Sequence, residues 1–124
     1  MKFNTLMIIT AVVALIFGLG FILVPSITVG LYGTQLDTIG EFVGRYFGAA
    51  LIGYAFLAWL NRNSTSRPVQ GGFFVAMALG FVVSLYDALA GVHNALVWLN
   101  VVIYLLLGIG FGYFFFTQEE AAAA

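Results

Sequence analysis

Apolar residues fill four long stretches of the chain, residues 6–24, 42–60, 71–92 and 95–116, and polar residues gather in the connections between them. Each stretch is close to the ~20 residues that a helix rising ~1.5 Å per residue needs to cross a ~30 Å hydrocarbon core. A membrane barrel is read instead from alternating segments of about 10 residues, and runs such as Tyr104-Leu105-Leu106-Leu107 do not alternate. The pattern predicts an all-α integral membrane four-helix bundle, one domain over residues 1–117, followed by a tail at 118–124. The first apolar run exceeds the roughly 7–15 residues of a signal-peptide core, so it is expected to remain as the first span.

The connections set the arrangement. Residues 25–40 form the longest one, and its apolar members Ile27, Val29, Leu31 and Tyr32 place part of it along the membrane surface or against the bundle. The second, at 61–68, is polar throughout, and Ser66 ahead of Arg67-Pro68 has the makings of a helix N-cap. The third, around Gly91-Val92-His93-Asn94, is short, which makes the last two helices antiparallel neighbours.

Composition supports the membrane reading and removes several chemistries. Hydrophobic residues make up 63% of the 124 and charged ones 7%, against roughly a quarter charged in soluble domains. Four Lys or Arg against five Asp or Glu leave no basic field for nucleic acid. The absence of cysteine excludes a disulfide framework, an iron–sulfur cluster and a thiolate zinc site. No cofactor and no metal site is expected. Outside the spans, Lys2, Arg62 and Arg67 fall on one side, and the first and third connections hold no Lys or Arg. The positive-inside rule then puts both termini and the 61–68 loop in the cytoplasm, N-in and C-in, and a prokaryotic inner membrane is the expected location.

Lipid tails are as apolar as leucine, so helices in a membrane associate by close packing, and small residues mark where backbones meet. The second span carries Gly40, Gly44 and Gly48, and the third carries Gly72, Ala76, Gly80, Ser84 and Ala88, both at i+4 spacing. These faces are expected to pack the bundle internally or to join a second copy or a larger membrane complex. The run Gly108-Ile109-Gly110-Phe111-Gly112 is packing glycine, since no strand precedes it as a nucleotide loop requires.

Two charges lie inside apolar spans, Arg45 in the second and Asp87 in the third. Counted from the proposed outer boundary they sit about four and five residues deep, roughly 6–8 Å at 1.5 Å per residue. An unpaired charge in hydrocarbon is costly, so an Arg45–Asp87 ion pair or a water-bridged equivalent is expected, with Glu41, one turn from Arg45, as a competing partner. Tyr46 and Tyr86 adjoin these charges, and His93, Asn100 and Tyr104 fall in the same outer layer, so the eight residues together form either a ligand site or a structural clamp. The clamp takes precedence over the ligand site, and the ligand site over catalysis. Ser84, His93 and Asp87 have the residue types of a hydrolytic triad, but Ser84 belongs to the small-residue face and no oxyanion donors are identifiable.

Pro25 after the first span, Gly44-Arg45-Tyr46-Phe47-Gly48-Ala49 in the second and Asp87-Ala88-Leu89-Ala90-Gly91 closing the third resemble small four-helix prokaryotic membrane proteins, some described as DoxX-like. The resemblance implies the four-helix fold and no particular activity. Two functions remain. One is a non-enzymatic accessory or structural subunit packing through its small-residue faces. The other is a binder or transporter of a small molecule, ion or lipid-like ligand, using Arg45, Asp87 and Asn100.

Overall fold

The computed structural model describes residues 2–64, 66–91 and 94–117. Among them are five helices and no strand: α1 (Phe3–Leu23), α2 (Pro25–Gly30), α3 (Thr38–Leu60), α4 (Arg67–Ala90) and α5 (Val97–Thr117). Four of these, α1, α3, α4 and α5, are long and apolar enough to cross a membrane.

Local chemistry fixes the boundaries. α3 begins four residues before its apolar run because the Asp37 carboxylate accepts a hydrogen bond from the Gly40 amide at 2.7 Å, satisfying one of the free N–H groups of the first turn. α4 also starts early, with Pro68 in its first turn, where a missing N–H leaves no hydrogen bond unmade. Ser66 takes the N-cap position there, but its hydroxyl makes no capping bond. α4 ends at Gly91, whose φ of 72° lies in the left-handed region that favours glycine. The first connection contains a helix that hydropathy did not reveal: Pro25 opens α2, and Thr28 packs its hydroxyl against Gly20 of α1.

The four long helices form a ring with one open side. α1 packs along α3, α5 along α4, and α1 touches α5, whereas no Cα of α3 comes within 8 Å of a Cα of α4. The α1–α3 crossing is the closest approach: a Cβ built on Gly48 would lie 2.8 Å from the Gly18 carbonyl oxygen. Of the other small residues, Gly44 would be in ordinary contact with Pro25, Gly40 meets its own capping loop at Leu36 and Asp37, and Gly80 lies under the Tyr104 ring. Gly72 faces open space, while its neighbour Gly71 lies against Phe115. The i+4 spacing explains this. At 3.6 residues per turn such a row drifts about 40° per step, so five members wrap about 160° around the helix and cannot all face one neighbour. The buried residues of α4 are Gln70, Phe73, Met77 and Ser84, with Ala76 and Ala88 half-buried.

The core occupies the half of the bundle near residue 3 and residue 114. Phe3, Leu6, Met7, Ala58, Phe73, Phe111 and Phe114 are among its buried members, and Ala11, Met77 and Leu107 carry it toward the middle of the bundle. Phe73 stacks on Phe111 at 5.1 Å between ring centres, Phe3 meets Phe114 edge-on at 5.3 Å, and Tyr54 reaches across from α3 to Phe73 at 4.6 Å. Such ring pairs, each worth about 0.5–1.5 kcal/mol beyond buried area in soluble proteins, tie the helix pairs together at this end.

Candidate functional site

The opposite half is not filled. Between the α1–α3 pair and the α4–α5 pair lies a cavity of about 300 Å³. Its walls are Val13, Ala14, Phe17 and Phe21 of α1, Phe47, Ala50 and Leu51 of α3, Ala76 and Met77 of α4, and Ile103 and Leu107 of α5. The apolar positions recur at three- and four-residue spacing, which keeps each set on one helix face. Thr10, Tyr32, Tyr54, Asn100 and Tyr104 supply the polar atoms, and among the described residues no charged side chain lines the space.

Two of these polar groups are satisfied within the protein. Thr10 donates to the Leu6 carbonyl at 2.9 Å, and Tyr32 donates its O–H to Asn100 Oδ1 at 2.6 Å. Burial, reinforced by nearby Tyr104, holds the Tyr32 phenol above its ordinary value of 10.0, against the opposing effect of the Asn100 hydrogen bond, so it is a neutral donor at neutral pH. Among the described residues, the Asn100 amide nitrogen and the Tyr54 and Tyr104 hydroxyls have no hydrogen-bond partner. Donors inside a largely apolar cavity favour an occupant that carries acceptors, because leaving them unpaired costs roughly 1–3 kcal/mol each.

A tied loop roofs the cavity. Gly33, at φ 78°, turns the chain after α2 so that Tyr32 points inward. Asn94 then binds this loop twice, its backbone N–H to the Tyr32 carbonyl and its Nδ2 to the Leu31 carbonyl, both at 2.9 Å. The same side chain accepts from the Leu96 amide at 3.0 Å, ordering the turn that leads into α5.

The expected Arg45–Asp87 ion pair is not formed. Arg45 is exposed on α3 and Asp87 half-buried on α4, and these are the two neighbouring helices whose backbones stay apart. Equal depth does not fix the direction in which a residue points. At 100° per residue Arg45 lies about 200° around α3 from Phe47 and about 180° from Tyr54, so it faces away from the cavity. Glu41 does not pair with Arg45 either; its carboxylate accepts a hydrogen bond from Ser26, tying α2 to α3. Tyr46 packs beside Phe42 on the outer surface, 66% exposed, and Tyr86 is 73% exposed. His93 lies outside the described residues. Of the eight polar residues singled out from the sequence, the cavity brings together Asn100 and Tyr104. It adds Tyr32 and Tyr54. The signal for Tyr54 was in the chain, a phenol in mid-span with no interfacial position to explain it. Among the described residues, no three His, Asp or Glu side chains gather as a metal site requires.

Comparison with curated proteins and with solved structures gives no match. Nothing found links the chain to DoxX-like proteins. A family model does match residues 8–120, a stretch that takes in the roof and every wall of the cavity. The chain belongs to the family described as Domain of unknown function (DUF8292).

Proposed function

We infer that the protein is a multi-pass membrane protein that binds a small, uncharged molecule in the cavity between its two helix pairs. The observation that carries this is the cavity's lining, in which, among the described residues, three hydrogen-bond donors without protein partners are set among apolar walls and no charged side chain is present. Sites for small molecules have this composition, mostly apolar with a few convergent polar groups, and begin at volumes of ~300 Å³. Lys2, Arg62 and Arg67 support an orientation with both termini cytoplasmic, in a prokaryotic inner membrane, which puts the cavity in the outer half of the bilayer. The binding residues are Asn100, Tyr104 and Tyr54, with Tyr32 orienting Asn100.

A second reading, an accessory subunit of a dimer or larger membrane complex, is favoured by Gly53 and Gly72, which have open space around them and offer close approach to another helix. One experiment addresses both. The protein is purified in mild detergent, and everything retained, small molecules and proteins alike, is identified by mass spectrometry. Filling the cavity with Ala76→Phe is expected to remove a specific small molecule, and Asn100→Leu to weaken its retention. If the retained molecules are the same in all forms, ligand binding in the cavity is wrong. Loss of a co-purifying protein on Gly72→Leu, with unchanged small molecules, selects the accessory role.

A further inference from the structure

The cavity has a roof, a floor and three walls. The roof is the loop held by Asn94 and by the Tyr32–Asn100 hydrogen bond. The floor is the aromatic layer in which Tyr54 spans from α3 to Phe73 and Phe73 stacks on Phe111. The packed pairs α3–α1 and α5–α4 close two sides, and on the third α1 approaches α5, with Leu6 against Gly110 and Phe3 against Phe111. The fourth side, between α3 and α4, is different. Packed helices lie with axes ~8–10 Å apart, but here no Cα of one helix comes within 8 Å of the other. The α3 and α4 residues that line the cavity on this side are Phe47, Ala50, Leu51 and Tyr54 on one edge and Ala76 and Met77 on the other, and of these Tyr54 alone, down at the aromatic floor, can hydrogen-bond water through its side chain. Leu79 and Val83, further along α4, are more than half exposed beside it.

We propose that the cavity opens sideways into the bilayer through the gap between α3 and α4, and that its occupant is a neutral lipid whose oxygen-bearing head reaches Asn100 and Tyr104 while its chain stays in the gap. This rests on the ligand-binding reading and names the class of ligand. Volume argues for it: about 300 Å³ is at the lower end of the ~300–1,000 Å³ of small-molecule sites, enough for a head and a few carbons but not for a whole lipid. Charge argues for it as well, because a phosphate or carboxylate would enter a space with no cation among the described residues of its lining and leave its own hydration behind. Arg45, the nearest cation on α3, points away.

The chain contains no cysteine, so a single introduced one carries a unique spin label. Labels are placed at Met77→Cys in the cavity, where the label replaces a long side chain, at Val75→Cys on the outer face at nearly the same depth, and at Asn63→Cys in the polar connection. The proteins are reconstituted in phosphatidylcholine vesicles, and collision with oxygen, which concentrates in lipid, is compared with collision with a water-soluble nickel chelate. The expected result is a ratio at Met77→Cys resembling that at Val75→Cys. A ratio resembling that at Asn63→Cys, or protection from both reagents, overturns the sideways opening. Doping the vesicles with monoolein, a neutral single-chain lipid, is expected to lower oxygen collision at Met77→Cys about twofold, the change when about half the sites are filled. Asn100→Leu should abolish that response, and lysophosphatidic acid should not produce it. A response to lysophosphatidic acid, or none to monoolein, overturns the neutral-lipid assignment. A water-accessible cavity that still retains a molecule on purification would sink the route while leaving ligand binding intact.

Discussion

Gly48→Ala tests the close crossing that holds one helix pair together. The added methyl carbon would lie 2.8 Å from the Gly18 carbonyl oxygen and 2.9 Å from the Ile22 backbone nitrogen. Both are backbone atoms of α1, so side-chain rotation cannot relieve the overlap. Ordinary contact begins at 3.4 Å, which requires α1 and α3 to separate by about 0.6 Å. A gap of ~0.5–1 Å forfeits a quarter to a half of each dispersion contact of ~0.1–0.2 kcal/mol, and some 40 atom pairs then lose about 1–4 kcal/mol. Alanine's helix propensity offsets about 1 kcal/mol, leaving a net destabilisation of up to about 3 kcal/mol. Gly53→Ala is the control, because a Cβ there meets nothing within 4 Å, and it should be neutral or stabilising by up to about 1 kcal/mol. Equilibrium unfolding in mixed micelles of rising dodecyl sulfate content, followed by the fluorescence of Trp59 and Trp98, ranks the variants. Equal midpoints for Gly48→Ala and Gly53→Ala would refute the crossing and the helix order derived from it.

Three further outcomes follow from the same geometry. Tyr32→Phe deletes the 2.6 Å bond to Asn100 and should lower unfolding stability by about 1 kcal/mol, with a double-mutant cycle against Asn100→Leu showing coupling; independent effects would mean that the roof latch carries no energy. The Tyr32 phenol is raised above 10.0, so its contribution is fully present below the unfolded-state value and is lost as pH rises through the folded-state value; stability of the wild type should fall on that alkaline limb by more than stability of Tyr32→Phe. Exchanging the charges, Arg45→Asp with Asp87→Arg, should be no more stable than the sum of the single changes predicts, and a rescue would show that the two side chains meet after all.

Much of the architecture is legible in the chain because hydrophobicity is a one-dimensional signal. Apolar runs of about 20 residues give the number of long helices and their approximate ends, whatever the helices later touch. Termini were displaced where local chemistry extended a helix beyond its apolar part, as the Asp37 cap and Pro68 do. Legibility fails for the direction in which a residue faces. Arg45 and Asp87 could be assigned a depth from rise per residue, but their pairing required α3 and α4 to be packed neighbours, and the ring is open on that side. Asn100 and Tyr104 were recognised because polar groups in an apolar span stand out. Tyr54 and Tyr32 entered the cavity only when other helices supplied the remaining walls.

The sequence by itself determined the count of helices long and apolar enough to cross a membrane and the absence of thiols, both of which depend on composition and length. Tertiary structure decided which side of the ring stays open, because that depends on where Gly18 and Gly48 let backbones touch and where the Phe73–Phe111 stack holds the two pairs together at one end. A space between helices belongs to no single segment. It arises from the mismatch between a tightly packed half and a half propped apart, and such a mismatch exists only in three dimensions.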